Sequence, residues 1–154
     1  MTQERTLSKD TNTALREIMS TIKSMEKVFI EETKALNNTD NDTFMAMQGK
    51  KLIVAREYQN DMSQILARKN EIKNADKVIK NTLDEMQKKF SKTSSENINA
   101  INRMQRCTER LGNTIRNAAI RDAQKQHNYS YGENGAIVKS NKNRAVSTGL
   151  SESV

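Results

Sequence analysis

Between Phe44 and Phe90 one alternating four-three ladder can be followed without a gap: Phe44, Gln48, Lys51, Ala55, Tyr58, Met62, Ile65, Lys69, Ile72, Asp76, Ile79, Leu83, Met86, Phe90. Ten of these fourteen positions are apolar, with no exception from Ala55 to Ile65 or from Ile79 to Phe90. That spacing lays the apolar groups on one stripe of a helix, as in the a/d seam of a coiled coil. No Pro interrupts it, and its one glycine, Gly49, lies near the start. The pattern predicts a helix over 43–90, roughly 70 Å long at about 1.5 Å per residue. Such a helix cannot bury its own stripe, so its neighbours in sequence must cover it.

Both neighbours carry the same period. Upstream, Leu15, Ile18, Ile22, Met25, Phe29 and Leu36 continue the ladder, with Glu32 as a break and Met19 and Val28 widening the stripe. A first helix over about 9–36 is expected, starting near Ser8 or Thr11. It should end at Asn37-Asn38-Thr39-Asp40-Asn41-Asp42, a cluster of turn and cap formers, with Asp42 or Thr43 capping the next helix. Downstream, Ile101, Met104, Thr108, Leu111, Ile115 and Ala118 share one ladder, with Ile98 and Cys107 beside it. A third helix is expected over 95–126, capped by Ser94 or Ser95 and separated from the second by the polar run Ser91-Lys92-Thr93-Ser94-Ser95. The polar patch from Arg68 to Asn74 contains neither Gly nor Pro, so the second helix is expected to run through it. Short connections make sequential helices antiparallel neighbours. The fold expected is all-α: an elongated, coiled-coil-like antiparallel three-helix hairpin bundle over 1–127 with the middle helix as its spine.

From 128 to 154 the period stops. This segment holds three of the five glycines, many Ser and Asn, and only scattered apolar groups. It is expected to be a disordered tail, because it cannot bury enough surface to offset its ordering entropy. Tyr129, Tyr131, Ala136-Ile137-Val138 and Leu150 are the groups in it that could anchor to a partner.

Composition narrows the class. Pro is absent and aromatics are 4%, which argues against strands; a hydrophobic share of 34% argues for a thin seam of core. The net charge of +7 is diffuse, since Lys and Arg alternate with Asp and Glu along the first two helical stretches. The polar Met1–Asp10 stretch has no apolar core of a secretion signal, no run approaches the ~20 residues needed to span a bilayer, and the single Cys107 suits a reducing compartment. A soluble, cytoplasmic protein is the expectation.

Catalytic chemistry is not expected. Cys107 and the lone His127 would lie about 30 Å apart on one helix. Typical zinc ligand sets need more His or Cys than this chain has, and Gly132, Gly135 and Gly149 lack the strand and helix of a phosphate loop. No metal, cofactor or small-molecule substrate is implied. The methionines Met19, Met25, Met62, Met86 and Met104 read as core filler, while Met45 and Met47 are candidates for an exposed, adaptable contact. In the third helix Arg103, Arg106 and Arg110 share a face, either as a solvated outer surface or as a stripe for acidic partners or nucleic acid. That helix has no aromatic residue for base stacking, which disfavours nucleic acid.

A helical core ending in a polar helix, followed by Tyr131-Gly132-Glu133-Asn134-Gly135-Ala136 and a Ser/Asn-rich end, resembles the FlgN-like flagellar export chaperones. Lys50-Lys51-Leu52 with the charged amphipathic run after it is similar to the family's lysine-bearing second helix. The resemblance covers nearly the whole chain. It implies a cytoplasmic chaperone of flagellar type III export that binds hook–filament junction subunits through an amphipathic helix near its C-terminus and passes them to the export apparatus. Carried onto this chain, the binding region is the third helix and early tail: Ile101, Met104, Leu111, Ile115, Ala118, Tyr129 and Tyr131. Two rival readings stay open: a self-associating coiled-coil scaffold of phasin-like or secretion-associated type, and a basic helical nucleic-acid binder. The expected oligomeric state is a monomer or weak homodimer.

Overall fold

A computed structural model describes residues 5–127, 130–131 and 137–138. Four helices account for nearly all of them: α1 (Thr11–Asn37), α2 (Asn41–Ala67), the single turn α3 (Lys69–Lys73) and α4 (Lys77–His127). The all-α expectation holds for this body of the chain. Two short strands, β1 (Ser130–Tyr131) and β2 (Ile137–Val138), pair antiparallel, with Ser130 opposite Val138 and Tyr131 opposite Ile137. The chain divides into two compact units, Met1–Met104 and Gln105–Val154. Among the described residues, no helix is long and apolar enough to cross a membrane.

In the first unit, cross-helix pairs fix how the segments run. Thr21 meets Asp61 and Glu32 meets Lys51, so α2 returns antiparallel to α1. Asn12 meets Asp76, Glu26 meets Lys89, Thr33 meets Asn97 and Asn37 meets Arg103, so the first half of α4 runs alongside α1 in the same direction. The deepest burial lies on α1, not on the middle segment expected to be the spine. Ala14, Leu15, Ile18 and Ile22 are wholly buried in a cluster with Leu7, Ile65 and Ile79. A second cluster holds Val28, Phe29, Met47 and Val54, and Phe90 packs against both. The Phe90 ring lies 5.5 Å from Phe29 and 5.7 Å from Tyr58, and burial pushes the Tyr58 phenol pKa up.

Two helix boundaries depart from the sequence expectation. The middle helix expected over 43–90 breaks at the polar patch that it was expected to cross. Arg68 closes α2 with its N–H on the Ile65 carbonyl, and Asn74 and Ala75 close α3 in the same way. Asp76 then opens α4: its carboxylate accepts from the Val78 N–H at 2.7 Å, while its own N–H donates to Asn12 of α1. The turn is thus set by a cap and a tertiary contact, with no Gly or Pro needed. Conversely, the loop expected at 91–95 is helical, so the third helix does not start at 95. Thr93 faces inward and its hydroxyl returns to the Lys89 carbonyl at 3.2 Å, an i to i−4 bond that keeps a turn-forming residue inside a helix. The disordered tail expected over 128–154 falls mostly outside the described residues. Among the described residues of that segment, Ser130 and Tyr131 pair with Ile137 and Val138, and all but Ser130 are strand formers.

The α1–α2 connection follows helix-capping rules. Thr39 N–H bonds the Leu36 carbonyl and Asp40 N–H the Ala35 carbonyl, the paired closure of a Schellman motif. This places Thr39 at φ 57°, a left-handed conformation that suits glycine and strains a β-branched residue. Asp40 then caps α2 through the Thr43 N–H, ahead of the Asp42 or Thr43 expected, as Asp10 caps α1 through Thr13.

Two predictions follow from these turns. Thr39→Gly should stabilise the protein by about 0.5–1 kcal/mol, because relief of left-handed strain exceeds the added unfolded-chain entropy; urea unfolding checks the sign. The Asp10 and Asp40 carboxyls are held below their ordinary 3.8 by bonds from the hydroxyls and backbone amides of Thr13 and Thr43. Their stabilisation is therefore complete above the unfolded value and lost as pH falls through the lower folded value. An Asp10→Asn/Asp40→Asn variant keeps both caps, and its urea midpoint should fall less than that of the wild type between about pH 6 and pH 3.

Candidate functional site

Three features stand out from this helical body. The first is the distal part of α4. Leu111 and Ile115 are 60% and 59% exposed, and Ala118 is exposed as well. At about 100° per residue these three lie on one stripe. Ile101 and Met104, on the same ladder, are half-buried at the end of the first unit. The residues proposed from sequence are thus divided: two lie in the first unit, and three form an open stripe in the second. Tyr129 lies outside the described residues, and Tyr131 is placed only as the second residue of β1.

The arginines lie on the face of α4 beside that stripe, Arg103 about 60° round the helix from Ala118. Arg103 donates to the Asn37 side chain at 2.9 Å, tying α4 to the end of α1. Arg106 and Arg110 are exposed. One of the three members of the basic face therefore has a structural contact. Met45 is 67% exposed, as expected, whereas Met47 is 8% exposed and belongs to the second core cluster. Together with Leu52 and Ile53, exposed by 54% and 59%, Met45 makes an apolar outer face on α2 around Gly49. A Cβ built on Gly49 would meet nothing within 4 Å. Cys107 is an exposed free thiol, and no cluster of three His, Cys, Asp or Glu suited to a metal occurs among the described residues.

The second feature is a buried polar layer joining all three long helices. Glu32 of α1 has no exposed surface, and its Oε1 accepts from Lys51 Nζ of α2 at 2.9 Å. The same ammonium lies 3.4 Å from Asn97 Oδ1 of α4 and 5.1 Å from the Phe29 ring centroid. Asn97, 1% exposed, donates to Thr33 Oγ1 and to the Phe29 carbonyl of α1. The sequence held a signal for this: Glu32 and Lys51 are polar exceptions, of opposite charge, on two apolar ladders.

The third is Asp61, also without exposed surface, whose Oδ2 accepts from Thr21 Oγ1 at 2.7 Å and lies 3.9 Å from Arg5 Nη1. Asp61 sits off the ladder read from sequence, so no pattern marked it. Residues 5–10 run over this end of the first unit, with Leu7 buried to 2% exposure.

No family model matches the chain, and neither a curated protein nor a solved structure matches it.

The Glu32–Lys51 pair yields a direct test. Lys51→Met leaves a buried carboxylate without its cation and should cost about 3 kcal/mol in urea unfolding, whereas adding Glu32→Leu in the same chain should recover most of that loss. Equal stability of the single and double variants would show that the two side chains are not coupled.

Proposed function

We propose that this chain is a cytoplasmic chaperone of flagellar type III export. It holds hook–filament junction subunits through Leu111, Ile115 and Ala118 of α4, and the resemblance adds Ile101, Met104, Tyr129 and Tyr131 as further contact residues. The first unit, in this reading, is an antiparallel three-helix hairpin of coiled-coil type. The observation that carries the proposal is the exposure of Leu111 and Ile115 on a regular i, i+4 spacing. A client's amphipathic segment could lay its own apolar face there by helix-on-helix contact, folding as it binds and leaving readily at the export apparatus. The resemblance of the segment around Tyr131–Ala136 to the family's tail supports the same reading. The basic face fits it less well as a nucleic-acid stripe, since Arg103 is engaged with Asn37 and no aromatic lies on 95–126.

A second reading is favoured by the α2 face of Met45, Leu52 and Ile53. An exposed apolar face around a glycine is suited to helix pairing between copies, which is the scaffold alternative. Light scattering across a concentration series separates the two, because a monomer at all concentrations disfavours the scaffold.

Leu111→Ser/Ile115→Ser should weaken binding of purified hook–filament junction subunits by at least about tenfold, measured by titration calorimetry, while leaving the melting transition nearly unchanged because both side chains are exposed. Unchanged affinity, or no binding by the wild-type chain, would sink the chaperone reading.

A further inference from the structure

The segment 5–10 is held to the first unit in the manner of a bound peptide. Its main chain is read by side chains spaced four apart along α2. Asn60 Nδ2 and Gln64 Nε2 both donate to the Arg5 carbonyl, at 2.6 and 2.9 Å. Gln64 Oε1 accepts from the Leu7 N–H at 2.8 Å, and Arg68 donates to the Ser8 carbonyl. From α1, Glu17 Oε2 accepts from the Ser8 N–H at 2.9 Å. Bonds of this kind recognise an extended backbone whatever its sequence.

Two side chains supply what selectivity there is. Leu7 fills an apolar site with 2% exposure, beside Leu15, Ile18 and Ile65 of the same core cluster. Arg5 faces the buried carboxylate of Asp61, but loosely, at 3.9 Å, with its side chain 42% exposed. Asp61 Oδ1 is buried and has no hydrogen-bond partner among the described residues. The segment therefore satisfies its site incompletely. A ligand that placed a guanidinium closer to Asp61 would make a charge-assisted bond that Arg5 does not make.

We propose that this groove between α1 and α2 is a peptide-binding site occupied in the free protein by the chain's own N-terminal strap. Its external ligand is an extended segment of a partner protein that carries an arginine two residues ahead of a leucine. The strap joins α1 through Lys9 and Asp10, so it competes at an effective concentration on the order of millimolar. Only a partner segment that binds better than the strap, or that is presented close by, displaces it. The site is thereby closed to weak or chance ligands. This inference rests on the first unit and not on the α4 stripe, so it stands or falls separately from the chaperone reading.

The experiment uses a fluorescein-labelled peptide with the sequence of residues 1–12 and the full-length protein. Arg5→Gln, which loosens the strap and leaves Leu7 in the core, should raise anisotropy-measured affinity for the peptide several-fold over the wild type. Leu7→Ser should raise it by at least about tenfold, provided circular dichroism shows the helices intact; if that variant does not fold, Arg5→Gln carries the test alone. A peptide with glutamine in place of its own arginine, or the protein variant Arg5→Gln/Asp61→Asn, should lose the gain. The Leu111→Ser/Ile115→Ser variant should bind the peptide as the wild type does. Absence of peptide binding by a folded strap variant at millimolar peptide would overturn the proposal. So would a concentration-dependent wild-type dimer that Arg5→Gln abolishes, since that would assign the groove to the strap of a second copy.

Discussion

The buried carboxylate of Glu32 sets the terms for the packing around it. Left alone in an apolar interior it would cost several kcal/mol, so a cation must reach it, and among the described residues Lys51 does. The Lys51 ammonium also meets Asn97 and the Phe29 ring, so α1, α2 and α4 are joined at one level. Sliding α2 by a single turn, about 5.4 Å, would separate the charges and bury both unpaired. Apolar ladders alone do not forbid such slips, because a leucine can trade one apolar neighbour for another. The Thr21–Asp61 bond repeats the constraint further along the same two helices. Two polar layers therefore specify a register that a thin apolar seam would leave loosely defined.

That register in turn locates the turns. With α2 fixed against α1, the chain must reverse near the start of α1, and it does so where Asn12 can take the Asp76 N–H. At the other end the tie is Arg103 to Asn37. The aromatic group of Phe29, Tyr58 and Phe90 lies between these limits and joins the two apolar clusters. α1 is thus covered from both sides along most of its length, which is why the deepest burial falls on its inward positions.

Much of this could be read from the amino-acid order, and the misses share a cause. Ladder positions such as Ile18, Ile22, Ile65 and Ile79 fall in the core because periodicity reports which face a residue occupies. Periodicity does not report where a helix stops. The seam from Phe44 to Phe90 is continuous in sequence because α2 and α4 present their stripes to the same core, so the ladder continues across the reversal between them. The closing bonds of Arg68, Asn74 and Ala75, the cap at Asp76 and the Asp76 N–H bond to Asn12 reveal the break. The serines and threonine at 91–95 misled in the opposite direction, since a hydroxyl that can close a turn can also bond within a helix, and the inward placement of Thr93 decided which. Asp61 and the strap were invisible for a third reason. Their partners, Thr21, Gln64 and Arg68, are distant in sequence and unremarkable in type. Of the proposed contact residues, Leu111 and Ile115 were legible as a stripe, but their exposure depended on what the neighbours leave uncovered.

The size of that stripe limits what it can do unaided. Full burial of Leu111 and Ile115 would supply roughly 3–6 kcal/mol together. Bringing two molecules together costs about 4–15 kcal/mol in lost freedom, and ordering a client segment adds to that. The stripe alone is therefore too small to hold a partner for long, and Ala118 adds little. A stable complex needs further surface. A contact of this strength releases readily when any part of it is withdrawn. That property suits a protein that must give its partner up, whereas a permanent scaffold would need several times this apolar area and would have to draw on the separate α2 face of Met45, Leu52 and Ile53.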